Sequence, residues 1–242
     1  RWLLAGQLRA INPFALSSAF AVLATNRRLG LPRRMDLPCE SIFAGKVKRG
    51  LSGDVDALQC AGERIVVLGM GAFAVENMRT AFERGATHVT ILCRRRGTAC
   101  PQIIDWVNFI RPFDATFKRG AAGDAIVLSY WQRTYDLSAT LRPDCWKLDG
   151  VLKPDGHTVS TSDLFFIAHK LQRLCTLLGQ VSRLEMSGLI TQDHVQVATS
   201  VIIKCVGFER NEGNERLLGR TSMRSAGMAE RGLWLQIEVH LD

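Results

Sequence analysis

Two short apolar runs, Arg64 to Leu68 (RIVVL) and His88 to Cys93 (HVTILC), read as buried strands. Between them the pattern predicts a helix over Ala74 to Arg84, stopped by Gly85 in the position that closes a helix. Strand, turn, helix and strand in this order make a βαβ unit with a right-handed connection. Upstream, Ser18 to Thr25 (SAFAVLAT) reads as a strand, followed by a loop in which Pro32 and Pro38 forbid regular structure. Downstream, Cys100 to Ile110 has helical spacing, while Phe113 to Gly156 shows no clear period and reads as an irregular insertion. Ser162 or Asp163 then caps a helix expected to run to Leu178 and stop at Gly179, its apolar positions Leu164, Ala168, Leu171, Cys175 and Leu178 lying on one face. Val195 to Val197 and Val201 to Val206 read as closing strands, and GLWLQIEV as a final one.

These elements predict an α/β chain: a Rossmann-like, three-layer dinucleotide-binding domain on a parallel sheet. Its 242 residues, 47% of them apolar, are enough to bury a sizeable core. No apolar run reaches transmembrane length. The stretch Pro13 to Ala24, with Arg1 and Arg9 before it, has the look of a signal-peptide core. A buried strand after a turn explains it equally well, and a chain that starts at Arg1 reads as an internal fragment.

The net charge of +8 is spread over short basic groups with no interleaved aromatic residues, which disfavours a nucleic-acid partner. The seven cysteines, at 39, 60, 93, 100, 145, 175 and 205, form no Cys-x-x-Cys pair, which argues against a dithiol site, a zinc ribbon or a disulfide framework. Free thiols suit a reducing, cytoplasmic setting, with peripheral association with an intracellular membrane left open. The five histidines have no metal-ligand spacing, so no metal is expected.

Chemistry concentrates in the turn Gly69-Met70-Gly71-Ala72-Phe73-Ala74, a Gly-x-Gly-x-x-Ala between strand and helix. Gly69 permits a tight turn, Gly71 lets a pyrophosphate approach the backbone, and Ala74 lets the helix pack close to the sheet. The helix start offers its N–H groups and about half a positive charge to the phosphates. A site for NAD places an acid at the end of the second strand. Here Arg84 to Ile104 contains none, and Arg94, Arg95 and Arg96 follow Cys93 instead. Arginine forks bind a 2′-phosphate, so the reading favours NADP(H).

The flanks carry further signals. AVLATN places Ala24-Thr25-Asn26 before the proline loop, FAGKVKRGLSG follows it with Phe43 and Gly45, and VIIKCVGFE places Cys205-Val206-Gly207-Phe208 after the unit. In this order they resemble the flavin-containing monooxygenases and their FAD-dependent relatives, in which an NADPH-binding domain is inserted into an FAD-binding one. The resemblance covers about Ala19 to Trp234. It implies a remnant of the FAD-binding domain over residues 1–60, an NADPH-binding domain over 61–206 with an insertion at about 112–160, and a return segment over 207–242. Glu76 stands where the family often has an acid. The sequence departs from the family pattern at Asn26, Arg49, Gly53 and Phe73, and it holds no second glycine fingerprint for FAD. The implied activity is hydride transfer from NADPH to FAD, then oxygenation of a small nucleophilic substrate. The alternatives are a flavoprotein reductase that does not oxygenate, or a truncated NADP-binding module. The site residues expected are Gly69 to Ala74, Glu76 and Arg94 to Arg96, with no catalytic side chain assigned.

Overall fold

The structure is a computed structural model and describes residues 2–8, 12–18, 32–51, 54–55, 58–104, 121–143 and 159–209. The chain divides into two compact units, residues 1–33 with 208–242 and residues 34–207. In the first, strands β1 (Trp2–Leu8) and β2 (Asn12–Ser18) pair antiparallel, from Trp2 opposite Ser18 to Leu8 opposite Asn12. Pro32 and Phe208 form an isolated antiparallel bridge, and Arg33 Nε donates to the Phe208 carbonyl at 3.2 Å. The strand expected over 18–25 lies, beyond Ser18, outside the described residues, as do Asn26, Gly53 and the expected final strand.

The second unit contains β3 (Lys46–Arg49), β4 (Arg64–Leu68), α1 (Ala72–Glu83), β5 (His88–Cys93) and the short β6 (Ala99–Cys100). Then come α2 (Ala121–Leu137), β7 (Ser160–Thr161), α3 (Asp163–Lys170) and β8 (Leu174–Leu178). It ends with β9 (Val181–Glu185), β10 (Gly188–Thr191), β11 (Gln196–Ala198) and β12 (Val201–Lys204). The central sheet is five parallel strands in the order β3-β12-β4-β5-β8. Among the described residues β3 stands at one end of this sheet, paired with β12.

The sheet is the middle of three layers. Ile65, Val67, Val89, Ile91, Val201 and Ile203 face a core shared with the three helices. Their neighbours Val66, Leu68, Leu92 and Ile202 face the other way, onto Leu184, Leu189 and Val197 of the antiparallel meander β9-β10-β11. Strands buried on both faces carry apolar residues at every position rather than alternate ones, which is why β4, β5 and β12 read as unbroken runs. Each fully buried aliphatic side chain here contributes roughly 1.5–3 kcal/mol.

Two expectations are corrected. The region read as irregular contains α2, whose buried side chains Val127, Trp131 and Tyr135 step by four. Its outer face also carries apolar residues, Ile126, Tyr130 and Leu137, all more than half exposed, and these hide the period. The helix expected to reach Leu178 stops at Lys170, and Leu174–Leu178 is strand β8. The stop is a Schellman turn: Gln172 N–H donates to His169 O and Arg173 N–H to Ala168 O, both at 2.9 Å, with Gln172 at φ 55°. α1 ends in the same turn at Gly85, φ 87°, and α2 at Ala139, φ 58°. Only one of the three uses glycine, so only that one was visible in the sequence. The N-terminal expectation for α3 holds, with Phe165 N–H donating to Ser162 Oγ at 3.3 Å.

His169, in the last turn of α3, lies 3.1 Å from Thr176 Oγ1 and against the Phe165 ring. Burial lowers its pKa from the ordinary 6.5 to about 4, so the folded chain holds it neutral. Its contribution to stability is whole above pH 6.5 and is lost as pH falls toward about 4. His88, lowered by burial and then by the Arg64 charge, adds with the same sign.

Two outcomes are expected in urea denaturation of the 242-residue chain. Gln172→Gly relieves the left-handed backbone and stabilises by about 0.5–1 kcal/mol, whereas a loss would mean that the Gln172 side chain contributes more than its backbone strain costs. His169→Gln flattens the fall in stability between pH 6.5 and about 4, and an unchanged slope would assign that fall to other groups.

Candidate functional site

The site lies at the carboxyl ends of the parallel strands. Arg49, Lys204, Leu68, Leu92 and Leu177 share one row of the register there. The chain runs outward from β4 to β5 and β8, then returns to place β12 on the other side of β4. Sheets of this kind bind ligands in the crevice at such a reversal.

The turn from β4 into α1 fills that position. Gly69 has φ 106°, and a Cβ there would stand 2.4 Å from the Cys205 carbonyl oxygen, so both backbone conformation and space require glycine. Gly69 N–H donates to Leu92 O at 2.8 Å, and Cys205 N–H to Leu68 O at 2.9 Å, which fixes the turn between β5 and β12. Gly71 differs: its backbone is extended and a Cβ would meet none of the described residues within 4 Å. Among the described residues, neither strain nor packing calls for glycine at 71. α1 begins immediately after, with no side chain capping its first turn and no acid in it. No side chain of the first turn offsets its N-terminal charge. Ala74 is fully buried, as close packing of the helix on the sheet demands.

The residues expected at the site divide as follows. Gly69 and Met70 are half-buried, Gly71 is exposed and Ala72 half-buried. Phe73 is 40% exposed at the start of α1. Glu76 projects into solvent, 3.5 Å from Arg79 Nη1. Arg94 and Arg95 are exposed and Arg96 half-buried.

The arginine loop and the glycine turn meet at Met70. Cys93 Sγ lies 4.0 Å from Met70 Sδ, and a Cβ on Gly97 would stand 2.2 Å from the Met70 carbonyl oxygen. Both ends of the Arg94–Arg96 loop therefore rest on the middle residue of the turn. The start of α1 and the arginine loop thus stand on adjacent segments.

Two polar contacts escaped the sequence reading. The buried Asn77 donates through Nδ2 to Gly50 O at 3.0 Å and Phe73 O at 2.7 Å, joining the end of β3 to the first turn of α1. An asparagine among the buried Ala74, Val75, Met78 and Ala81 was the available signal. Lys204 Nζ donates to Glu40 Oε2 and Met35 O, each at 2.6 Å, anchoring the proline loop to β12. Burial alone would raise the Glu40 carboxyl, but the Lys204 and Leu37 hydrogen bonds and nearby positive charge outweigh it and hold the pKa below 4.5. Burial pushes the Cys205 thiol up to about 12. Among the described residues no cluster suits a metal ion, and no helix is long and apolar enough to cross a membrane.

No protein-family model and no curated protein matches the sequence. Solved structures match the fold. An OTEMO complex with FAD and NADP superposes with a TM-score of 0.56 at 14% identity, covering 88% of this chain and 51% of that one. An oxidized steroid monooxygenase bound to NADP gives 0.55 at 10% identity, covering 77% and 46%. An ε-caprolactone-bound cyclohexanone monooxygenase gives 0.54 at 13% identity, covering 78% and 48%. The chain thus spans about half the length of these structures. At these identities the likeness establishes the fold: a mixed α/β, Rossmann-like dinucleotide-binding architecture on a parallel sheet.

Gly71→Val tests the glycine turn. The chain should fold, at a cost of about 1 kcal/mol or less for a poorer N-cap. Nucleotide binding followed by calorimetry should be lost, and retained affinity would place the phosphate site elsewhere.

Proposed function

We propose that residues 34–207 form the NADPH-binding domain of an oxidoreductase of flavin-monooxygenase type, acting with FAD on a small nucleophilic substrate. The observation that carries this reading is the meeting of the glycine turn and the arginine loop on Met70, at the reversal point of a parallel sheet. The fold shared with monooxygenase structures, one bound to NADP and another to FAD and NADP, supports it.

In this reading the 69–74 backbone and the start of α1 bind the pyrophosphate. Arg94, Arg95 and Arg96 take the 2′-phosphate. When bound, NADPH supplies a hydride, which the resemblance directs to FAD ahead of substrate oxygenation. The contribution of this chain is to bind and orient the nicotinamide nucleotide. The sequence holds no second glycine fingerprint of the kind that binds FAD.

A second reading, a module that binds NADP without oxygenating anything, draws support from Phe73. Its ring stands partly exposed in the turn, where the family pattern has a small hydroxyl residue. Substrate oxygenation stoichiometric with NADPH use supports the first reading. Reduction of an acceptor without oxygenation points to a reductase, and nucleotide binding alone to the module.

The NADP assignment is tested by Arg94→Ala with Arg95→Ala. Lost charge-assisted hydrogen bonds should weaken NADPH binding by roughly 1.5–3 kcal/mol for each arginine while NADH binding changes little. Equal weakening of both nucleotides, measured by titration at fixed ionic strength, would sink the assignment.

A further inference from the structure

Resting on the NADPH reading, we infer that helix α2 sets the preference for NADPH over NADH. Tyr135 and Trp131 are positioning residues that hold the arginine loop against the glycine turn.

The loop is pinned on both sides. On its amino side Gly69 N–H is bonded to Leu92 O, and Cys93 Sγ reaches Leu177 O at 3.7 Å and Met70 Sδ at 4.0 Å. On its carboxyl side Gly97 packs against the Met70 carbonyl, and two residues later the chain enters α2's grip at Ala99. The Tyr135 hydroxyl donates to Ala99 O at 3.0 Å and accepts from Ala99 N–H at 2.9 Å. Trp131 Nε1 donates to the same carbonyl at 2.9 Å. One turn of α2 therefore satisfies both backbone groups of one residue. That residue belongs to β6, a two-residue strand whose ladder partner among the described residues is β7.

A core aromatic needs no such aim. Tyr135 is fully buried and its ring already packs edge-on against Phe166, with centroids 5.1 Å apart. The hydroxyl adds direction: it fixes the height at which the chain leaves the arginine loop. Arginine side chains are rich in rotamers, and a fixed backbone lowers the ordering cost of closing three of them on a phosphate. NADH lacks that phosphate and, in this reading, gains nothing from the arginine side chains. The clamp should therefore act on one nucleotide and spare the other, which a purely structural role would not do.

The test uses Tyr135→Phe and Trp131→Phe in the 242-residue chain, with NADPH and NADH titrated against each at one ionic strength and folding followed by thermal melting. The expected result is a fall of about tenfold in the NADPH-to-NADH preference, with NADH affinity held. Tryptophan to phenylalanine removes the indole N–H and keeps an aromatic ring, so a folded variant remains if the other fails. A folded variant that keeps the wild-type preference, or that loses both nucleotides equally, overturns the inference and leaves the NADPH reading standing. A wild-type chain with no preference for NADPH overturns both.

Discussion

The carbonyl oxygen of Cys205 stands 2.4 Å from the place where a side chain at position 69 would begin. That closeness is the constraint on which the candidate site depends. It forces the chain to leave β4 through a left-handed glycine, and it aims the next residues away from β12 and toward β5. Met70 is thereby brought over Cys93 and Gly97, and Gly71 follows with α1 starting behind it. Interactions at the periphery then hold this geometry. Asn77 ties the end of β3 to α1, Lys204 and Glu40 hold the proline loop to β12, and α2 grips Ala99.

How much of this was legible in the sequence follows from range. The βαβ unit was readable because each of its signals is local: two apolar runs, a glycine turn, a glycine stop. Gln172 and Ala139 perform the same stop without announcing it, so β8 was absorbed into the helix before it. α2 was hidden by apolar residues on its outer face, although Val127, Trp131 and Tyr135 carried the period. Of the meander β9-β10-β11, only β11 was anticipated, by the run Val195 to Val197; β9 and β10 are short, five and four residues, and escaped the reading.

The residues proposed for the site could be named from the sequence, but their arrangement could not. Glycines and arginines could be matched to a pyrophosphate and a further phosphate from their chemistry alone. That the two groups meet on Met70 could not, because the meeting is made by a backbone carbonyl and by a glycine at 97 whose lack of a side chain is what permits it. Asn77 and Lys204 act through contacts spanning 27 and 164 residues, beyond any window in which composition or period has meaning. Tyr135 and Trp131 lie within the region read as irregular, and their target, one alanine backbone more than thirty residues earlier, carries no mark in the sequence.

The place of β12 has a consequence for how the chain acquires its structure. β12 is the last strand of its unit in sequence, yet it lies between β3 and β4, near the middle of the sheet. Among the described strands, β3 and one edge of β4 have β12 as their partner and lie unpaired until residues 201–204 are available. The contact that closes the sheet spans more than 150 residues, and closing so long a loop is entropically costly before any pairing compensates it. Folding should accordingly proceed through an early β4-α1-β5 kernel, with the insertion of β12 as its slow, final event. During synthesis this leaves a nascent chain with two exposed strand edges, the kind of surface that recruits chaperones or pairs with a neighbouring chain.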